Sequence, residues 1–251
     1  MIGTPKNSEF EAKGDKQILA LKQAVEKEYG GNSYSKEVVQ LAYGAMINKN
    51  ISKIIEKEIS DRASRRPFLK PESGLHIQQD QDEDEEDDYS ETIADQIDVT
   101  KSKYEDWIDE VMKKVGADHN KFEDWATYLD LEFVINFMTE QLLTIEDARM
   151  EASVAQNPNH LNENLVKEIL GFQMKQYKLM IAKYGESLEM MDEMIECIII
   201  KDKIWQNWGV EDEDLYHFIQ VTNNPLLVNL QQEFKSFRRE ILKVLAKKSY
   251  N

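Results

Sequence analysis

The longest periodic stretch of the sequence runs from Leu161 to Ile200 and reads LNENLVKEILGFQMKQYKLMIAKYGESLEMMDEMIECIII. Its apolar and long side chains recur every three or four residues, which is the spacing of one face of an α-helix. A continuous helix here would have about ten turns, and that length predicts a bundle spine or a coiled-coil arm. Gly185 is the position at which it could divide. The residues of this face are Leu165, Ile169, Phe172, Gln176, Met180, Tyr184, Leu188, Met191, Ile195 and Ile198.

Helix signals continue from this stretch to the end of the sequence. Gly209 predicts a helix end, and a short helix is predicted around Leu215–Val221. Asn224 followed by Pro225 is a strong start for a last helix. No stretch alternates apolar and polar residues between turn residues, so no strands are expected. The predicted fold class is therefore all-α.

Two further helix patterns precede the long stretch. Ser102 and Glu105 form a capping box, which predicts a helix that begins there and ends at Gly116. Asp118 or Asn120 is expected to begin the next helix. The side chains expected to face inward from that helix are Phe122, Trp125, Leu129, Phe133, Phe137 and Met138.

The N-terminal part predicts a helical hairpin. One helix is expected over Asp15–Tyr29, and a cap at Ser33 or Ser35 is expected to begin a second helix that reaches about Ser60. Two helices bury too little apolar surface to close a core of their own. We therefore expect this part to need a partner surface. The residues expected on its docking face are Val38, Leu41, Ile51 and Ile55.

Charge divides the chain unevenly. The formal net charge is −17, from 31 basic and 48 acidic residues, and residues 71–100 contain 12 of the acids and no Lys or Arg. They include the run DQDEDEEDDYSE from Asp80 to Glu91. Such a run repels itself and has little apolar surface to bury, so it predicts a disordered linker. The predicted division is an N-terminal docking segment (1–66), an acidic linker (67–100) and a helical bundle with one long helix (101–251).

The same charge limits the classes of partner. Phosphate groups repel an acidic chain, which argues against direct binding of nucleic acid, whereas Asp80–Glu91 could engage a basic protein surface. No apolar run approaches the roughly 18 residues needed to span a bilayer. The first 15 residues lack the apolar stretch of a secretory signal. The single cysteine, Cys197, fits a reducing compartment. An intracellular protein, cytoplasmic or nuclear, is expected.

The motifs of common catalytic and metal sites do not occur. The ten glycines form neither a dinucleotide-binding pattern nor a phosphate loop. The histidines lie far apart and none has the i, i+4 pairing of a helical zinc site. We therefore predict no enzyme activity, no catalytic residues, no cofactor and no metal site. The four histidines are His76, His119, His160 and His217.

One part of the chain resembles a known family. The strings SYSKEVVQLAYGAMINKNISKIIEKEIS (33–60) and PFLKPESGLH (67–76) resemble the histone-fold subunits of the transcription factor TFIID. The resemblance covers residues 18–78. It departs where the third helix should follow Pro71, because Gly74 and then the acidic run lie there. The resemblance implies pairing with a second histone-fold chain and a nuclear role. The residues in comparable places are Ser35, Val38, Val39, Ile54, Glu58, Leu69 and Pro71.

These observations lead to a functional hypothesis. We expect a non-enzymatic helical assembly or scaffold subunit of a multiprotein complex, which docks on protein partners through apolar helix faces. A second docking face is expected on the last helix, at Phe234, Phe237 and Ile241. One alternative is an acidic, histone-fold-like nuclear protein that binds basic chromatin or transcription partners. Another is an accessory subunit of an enzyme, with no site that the sequence reveals.

Overall fold

The computed structural model describes residues 5–28, 34–69, 83–118, 121–122, 125–155 and 160–249 of the 251-residue chain. Every regular element within these ranges is helical, which confirms the all-α fold class. None of the helices described has both the length and the apolar character needed to cross a membrane. The main helices are α1 (Pro5–Lys27), α2 (Lys36–Arg65), α3 (Glu83–Lys114), α4 (Trp125–Tyr128), α5 (Leu131–Ala152), α6 (Glu163–Tyr184), α7 (Met190–Trp208), α8 (Asp212–Thr222) and α9 (Pro225–Ser249).

The chain packs as two compact units, each built from two separated parts of the sequence. Unit 1 comprises Met1–Glu56 and Val99–Ala152, and unit 2 comprises Lys57–Asp98 and Ser153–Asn251. This division differs from the predicted boundaries after residues 66 and 100. The physical reason is that α2 and α3 are continuous helices, each of which contributes one part of its length to each unit.

Unit 1 supplies the N-terminal helices with an apolar partner from the same chain. Leu21 of α1 and Val38 of α2 are fully buried together with side chains from α3 and α5. The buried residues that cover these two helices begin at Ile108, 70 positions after Val38 in the same chain. The α3 to α5 side of this core consists of Ile108, Val111, Met112, Val115, Phe122, Trp125, Val134 and Phe137.

Local signals set the ends of the helices in unit 1. The Oγ atom of Ser35 accepts a hydrogen bond from the backbone N–H of Val38, at 3.5 Å, and caps α2 as predicted. Oδ1 of Asp130 accepts one from the N–H of Phe133, at 2.8 Å, and so caps α5. Asp130 also pairs with Lys36, and these two partners lower the pKa of its carboxyl group. The helix α1 begins at Pro5, ten residues before the predicted start.

Unit 2 is organised around the mutual packing of α6, α7 and α9. Asn162 caps α6 by accepting a hydrogen bond from the N–H of Leu165 at 3.0 Å. Asn224 and Pro225 begin α9, as predicted, and the Asn224 side chain accepts from the N–H of Leu226. The buried apolar core of this unit includes Val166, Ile169, Tyr177, Met180, Ile200, Ile204, Leu215, Ile219, Leu227 and Leu245.

The stretch Leu161–Ile200 forms two helices and not one long helix, and it divides where the sequence predicts that it could. The break lies at Gly185, which adopts φ +55° and starts a short 3₁₀ turn, Gly185–Ser187. Since α6 and α7 then pack against each other, the apolar face that suggested a single spine or coiled-coil arm is folded onto itself.

The predicted disordered linker is wrong over residues 83–100, which form the first half of α3. Ile93 and Ile97 are buried on the inner face of that part, and Tyr89 packs beside them. This apolar row explains why an acidic segment is helical here. The predicted helix start at Ser102 falls inside the same helix. The linker residues Pro67 and Phe68 lie in a short 3₁₀ turn, Arg66–Phe68. Residues 70–82, which include the region after Pro71, lie outside the described residues.

Candidate functional site

The four docking residues predicted in the N-terminal part all face the interior of unit 1. Val38 and Ile51 are buried, with 0% and 1% of their surface exposed. Leu41 is partly buried against the main core of unit 1, and Ile55 packs partly buried against a smaller cluster that contains Ile51. These four side chains therefore pack against other residues of the same chain.

The three docking residues predicted on the last helix also pack inward, in unit 2. Phe234, Phe237 and Ile241 are partly buried against the core of α6, α7 and α9. The rings of Phe234 and Phe237 meet Tyr177 edge to face, with centroids 5.4 Å and 5.9 Å from the Tyr177 ring. This geometry is typical of core aromatic packing.

An apolar row that the sequence analysis did not assign as a site faces outward on α5. Leu131 and Met138 keep 44% and 41% of their surface exposed, and Ile135 and Leu142 are partly exposed. These four residues are spaced by four, three and four positions, so they form one line along the helix. We call this row the α5 stripe. The placement of Met138 corrects the prediction that it faces inward.

The reason for this error lies in the sequence of α5. Val134 and Phe137 form a second apolar row, and that row enters the core of unit 1. Phe133 packs partly buried against the same core. A helix with apolar residues on so much of its circumference does not reveal which row is covered. The signal that could have separated the two rows is size, because the aromatic residues all belong to the buried side.

The charged residues of α5 are mostly acidic. α5 contains five acidic residues and one basic residue, Arg149, which is buried with 5% of its surface exposed. Glu132 borders the stripe and is exposed, whereas Thr139, seven residues later on the same side, is fully buried. Glu146 lies four residues beyond Leu142, the last residue of the stripe. The remaining acids of α5 are Glu140, Asp147 and Glu151.

A buried polar cluster lies inside unit 2. Oε1 of Glu193, a fully buried residue, accepts hydrogen bonds from Arg238 Nε at 2.6 Å, Tyr177 Oη at 2.9 Å and Cys197 Sγ at 3.1 Å. Burial, followed by the charge of Glu193, raises the pKa of the Tyr177 hydroxyl above its usual range. The cluster ties α6, α7 and α9 together by polar contacts in an apolar core.

A second network joins the end of α2 to α7 and α8 within unit 2. Arg62 donates to Glu211 at 2.7 Å and to Glu213 at 2.8 Å through its two terminal nitrogens. Arg65 Nε donates to Oδ2 of Asp202 at 2.7 Å, and Tyr89 donates to the same oxygen. These partners lie more than one hundred residues apart, so no local pattern in the sequence could have paired them.

The outer face of the first half of α3 is acidic. Asp88, Glu91, Asp95 and Asp98 are exposed and follow helical spacing, opposite the buried Ile93 and Ile97. We call this row the α3 acidic row. It places part of the acidic run on an ordered surface, and the side chains of residues 83–87 lie outside the described ones.

The described residues contain no group of three or more His, Cys, Asp or Glu side chains arranged to hold a metal ion. Comparisons with protein-family models, with curated proteins and with solved structures found no match for this chain.

Proposed function

We propose that this chain is a non-enzymatic helical subunit of a multiprotein assembly and that it docks through the α5 stripe. The observation that carries the proposal is the row of four apolar side chains along one helix, two of which are more than 40% exposed. Single exposed apolar residues are ordinary on protein surfaces. A continuous apolar row with a polar rim is typical of a surface that binds another protein.

Covering the exposed part of this row contributes enough binding free energy to change the affinity for a partner. Removing the exposed parts of Leu131 and Met138 from water contributes on the order of 1 kcal/mol for each side chain. Two such contributions change an affinity by roughly tenfold or more. We therefore expect the double variant Leu131→Ser/Met138→Ser to weaken partner binding strongly while its core stays intact.

The test is affinity purification of the tagged chain from its native source, followed by mass spectrometry of the intact complex. We expect stoichiometric protein partners with the wild type and their loss with Leu131→Ser/Met138→Ser. The matched control is Leu179→Ser/Val244→Ser, which changes two residues in unit 2 that are 52% and 64% exposed. Recovery of the wild-type chain alone, as a monomer, would contradict the proposal.

A second candidate function is binding of a basic nuclear protein, and the α3 acidic row favours it. Four exposed carboxylates in one row attract a Lys- or Arg-rich segment by long-range field. The resemblance of residues 18–78 to histone-fold subunits supports the same nuclear setting.

The test compares the wild type with the variant Asp88→Asn/Glu91→Gln/Asp95→Asn/Asp98→Asn. Fluorescence anisotropy measures the affinity of each for a 20-residue polylysine peptide. We expect weaker binding and a shallower dependence of the affinity on salt concentration. Binding equal to that of the wild type would exclude the row as the binding surface.

A further inference from the structure

Part of the first half of α3 lies on α7 as a short amphipathic segment, residues 88–98, which we call the α3 strap. Ile93 and Ile97 are buried and Tyr89 packs beside them, so the three side chains form one row with a spacing of four. The strap and the helix surface beneath it both belong to unit 2. That surface, which we call the α7 face, consists of Met194, Ile195, Ile198 and Ile199.

Two polar side chains fix the position of the α3 strap along the α7 face. Tyr89 donates a hydrogen bond to Oδ2 of the buried Asp202, which also accepts one from Arg65 Nε at 2.7 Å. Gln96 accepts from Arg65 Nη1 at 2.6 Å and donates to Ser64 Oγ at 2.8 Å. The surface therefore fits a helix with Tyr at position i, Ile at i+4 and i+8, and Gln at i+7.

The outer side of the α3 strap makes it a weak helix by itself. The carboxylates of the α3 acidic row follow each other at steps of three, four and three residues, so each neighbouring pair places two negative charges on adjacent turns. Like charges at these spacings destabilise a helix. The strap contains no Lys or Arg that could offset them. Its helical state therefore depends on the contacts that its inner side makes with unit 2.

We propose that the α7 face is a docking site for an amphipathic helix of a partner protein and that the α3 strap occupies this site within the chain. The partner helix has Tyr, Ile, Gln and Ile at the spacing of the strap and lacks its row of carboxylates. It makes the same contacts without the like-charge repulsion, and the strap lowers its apparent affinity because only the open fraction of the chain binds it. The site belongs to unit 2 and the α5 stripe to unit 1, so this inference goes beyond the proposed function.

The experiment measures binding of synthetic 18-residue helices to the chain by fluorescence anisotropy. The first peptide has Tyr, Ile, Gln and Ile at the strap spacing, and Ala with equal numbers of Lys and Glu elsewhere, so that its net charge is zero. The second has Ser in place of both Ile, and the third has Phe in place of Tyr. We expect the second to bind at least tenfold more weakly than the first, and the third about threefold more weakly. Equal binding of all three peptides would overturn the inference.

Substitutions in the α3 strap test whether it occupies the same site. Ile93→Ser/Ile97→Ser should raise the affinity for the first peptide at least tenfold, because the open fraction grows. Tyr89→Phe, which keeps the ring and removes only the bond to Asp202, should raise it about threefold. The matched control, Leu179→Ser/Val244→Ser, should leave it unchanged, as these exposed residues of unit 2 lie outside the α7 face.

The variant that neutralises all four carboxylates of the α3 acidic row should act in the opposite direction. Its strap is a more stable helix, so the affinity for the first peptide should fall about threefold. Circular dichroism checks the helix content of each variant. Affinities that do not change in the strap variants while the helix content stays intact would contradict the inference.

Hydrogen exchange measures the opening of the α3 strap in the unsubstituted chain. We expect the amides of residues 88–98 to exchange at least tenfold faster than those of residues 103–112 of the same helix. Their exchange should slow as NaCl rises from 10 to 300 mM, because salt screens the repulsion between the carboxylates. The first peptide should speed it, because a displaced strap loses its helix. Equal protection of the two segments, unaffected by the peptide, would contradict the inference.

Two further results separate this inference from other outcomes. If sedimentation shows a wild-type dimer that Ile93→Ser/Ile97→Ser converts to a monomer, two copies exchange their straps and the partner-helix inference is wrong. If native partners are lost with Leu131→Ser/Met138→Ser but no strap variant binds the first peptide, the assembly role stands and this inference fails. Binding of the first peptide by a chain that purifies alone supports the inference and contradicts the assembly role.

Discussion

Glu193 carries a carboxylate into the core of unit 2, where an isolated charge would be costly. The cost is offset by Arg238, whose Nε lies 2.6 Å from Oε1, and by the hydroxyl of Tyr177 and the thiol of Cys197. A buried ion pair of this kind is weak evidence for stability as a whole, but each partner depends strongly on the other. That dependence can be measured by changing the two residues separately and together.

We expect Glu193→Gln and Arg238→Met each to lower the free energy of unfolding by about 3–5 kcal/mol, because each leaves the other group without its partner. The double variant should lose less than the sum, with a coupling energy of about 2 kcal/mol or more. Chemical denaturation measures all three. The control cycle uses Glu240 and Lys243, an exposed pair at 3.7 Å, where coupling within about 0.5 kcal/mol is expected. Additive losses at Glu193 and Arg238 would contradict this account.

Two tyrosines of unit 2, Tyr177 and Tyr89, make the free energy of unfolding depend on pH in the alkaline range. Burial and neighbouring carboxylates raise the pKa of Tyr177 and of Tyr89 above that of an unfolded tyrosine, about 10. Above that pH the unfolded state loses these protons and the folded state keeps them, so stability falls as pH rises. We expect Tyr177→Phe to reduce this fall by about 1.4 kcal/mol per pH unit above pH ~10. Urea denaturation between pH 9 and 11 measures it, and an unchanged slope would show that Tyr177 ionises freely in the folded protein.

For single residues, the sequence predicted whether a side chain is buried better than it predicted which residues that side chain contacts. Cys197 lies in the apolar string MIECIII and is buried. Its hydrogen bond to Glu193 is local, four residues away, and could have been anticipated from helix geometry. The pairing of Glu193 with Arg238 spans 45 residues and depends on how α7 and α9 pack, which no spacing in the sequence encodes.

At the scale of elements, the division of the long periodic stretch depends on one residue. Gly185 adopts a positive φ, +55°, that residues with a Cβ rarely take, and Gly171 lies inside α6. A Cβ added at either position would meet no atom within 4 Å. The two glycines therefore differ in backbone conformation and not in the room available for a side chain. They therefore form a matched pair for testing the break.

We expect Gly171→Ala to raise the free energy of unfolding by about 0.5–1 kcal/mol, because alanine favours the helix interior. Gly185→Ala should lower it by about 1–2 kcal/mol, because the positive φ strains a residue with a Cβ. Thermal and urea denaturation measure both signs. Stabilisation by Gly185→Ala would indicate that α6 and α7 can join into the continuous helix that the periodicity predicts.

The first half of α3 shows why amino-acid composition predicts disorder for residues 83–100, which are helical. Averaged over thirty residues, the segment is acidic and its few apolar residues are diluted. Tyr89, Ile93 and Ile97 nevertheless recur every four residues, which gives one continuous inner row. A short window would have found this row, whereas the α5 stripe could not be told from its buried neighbour by pattern alone.

At the scale of the whole molecule, the two units do not coincide with the three segments (1–66, 67–100 and 101–251) predicted from charge and helix patterns. Each unit closes its core with segments from separate parts of the chain. The N-terminal helices, which the sequence predicts to need a partner surface, pack against helices of the same chain. Periodicity predicts the individual helices because it is local. The assignment of α2 and α3 to both units could not be predicted, because it depends on contacts between residues far apart in sequence.

The net charge of −17 has a consequence for the stability of the whole chain. Like charges spread over a compact body repel each other, and dissolved salt screens that repulsion beyond a distance of about 10 Å at 0.1 M. Exposed ion pairs such as Lys49–Asp15, which salt weakens, contribute at most about 1 kcal/mol each. We therefore expect the midpoint of thermal unfolding to rise as NaCl increases from 10 to 300 mM.

Variants that change the net charge in opposite directions test whether repulsion is the cause. Asp95→Asn/Asp98→Asn removes two exposed negative charges from the α3 acidic row and should make the rise with salt shallower. Lys167→Gln/Lys175→Gln removes two exposed positive charges from α6 and should make it steeper. Differential scanning calorimetry at each salt concentration measures the three slopes. A midpoint of thermal unfolding that falls as salt increases in the wild type would contradict this expectation. It would show that attraction between oppositely charged side chains stabilises the folded chain more than repulsion between its carboxylates destabilises it.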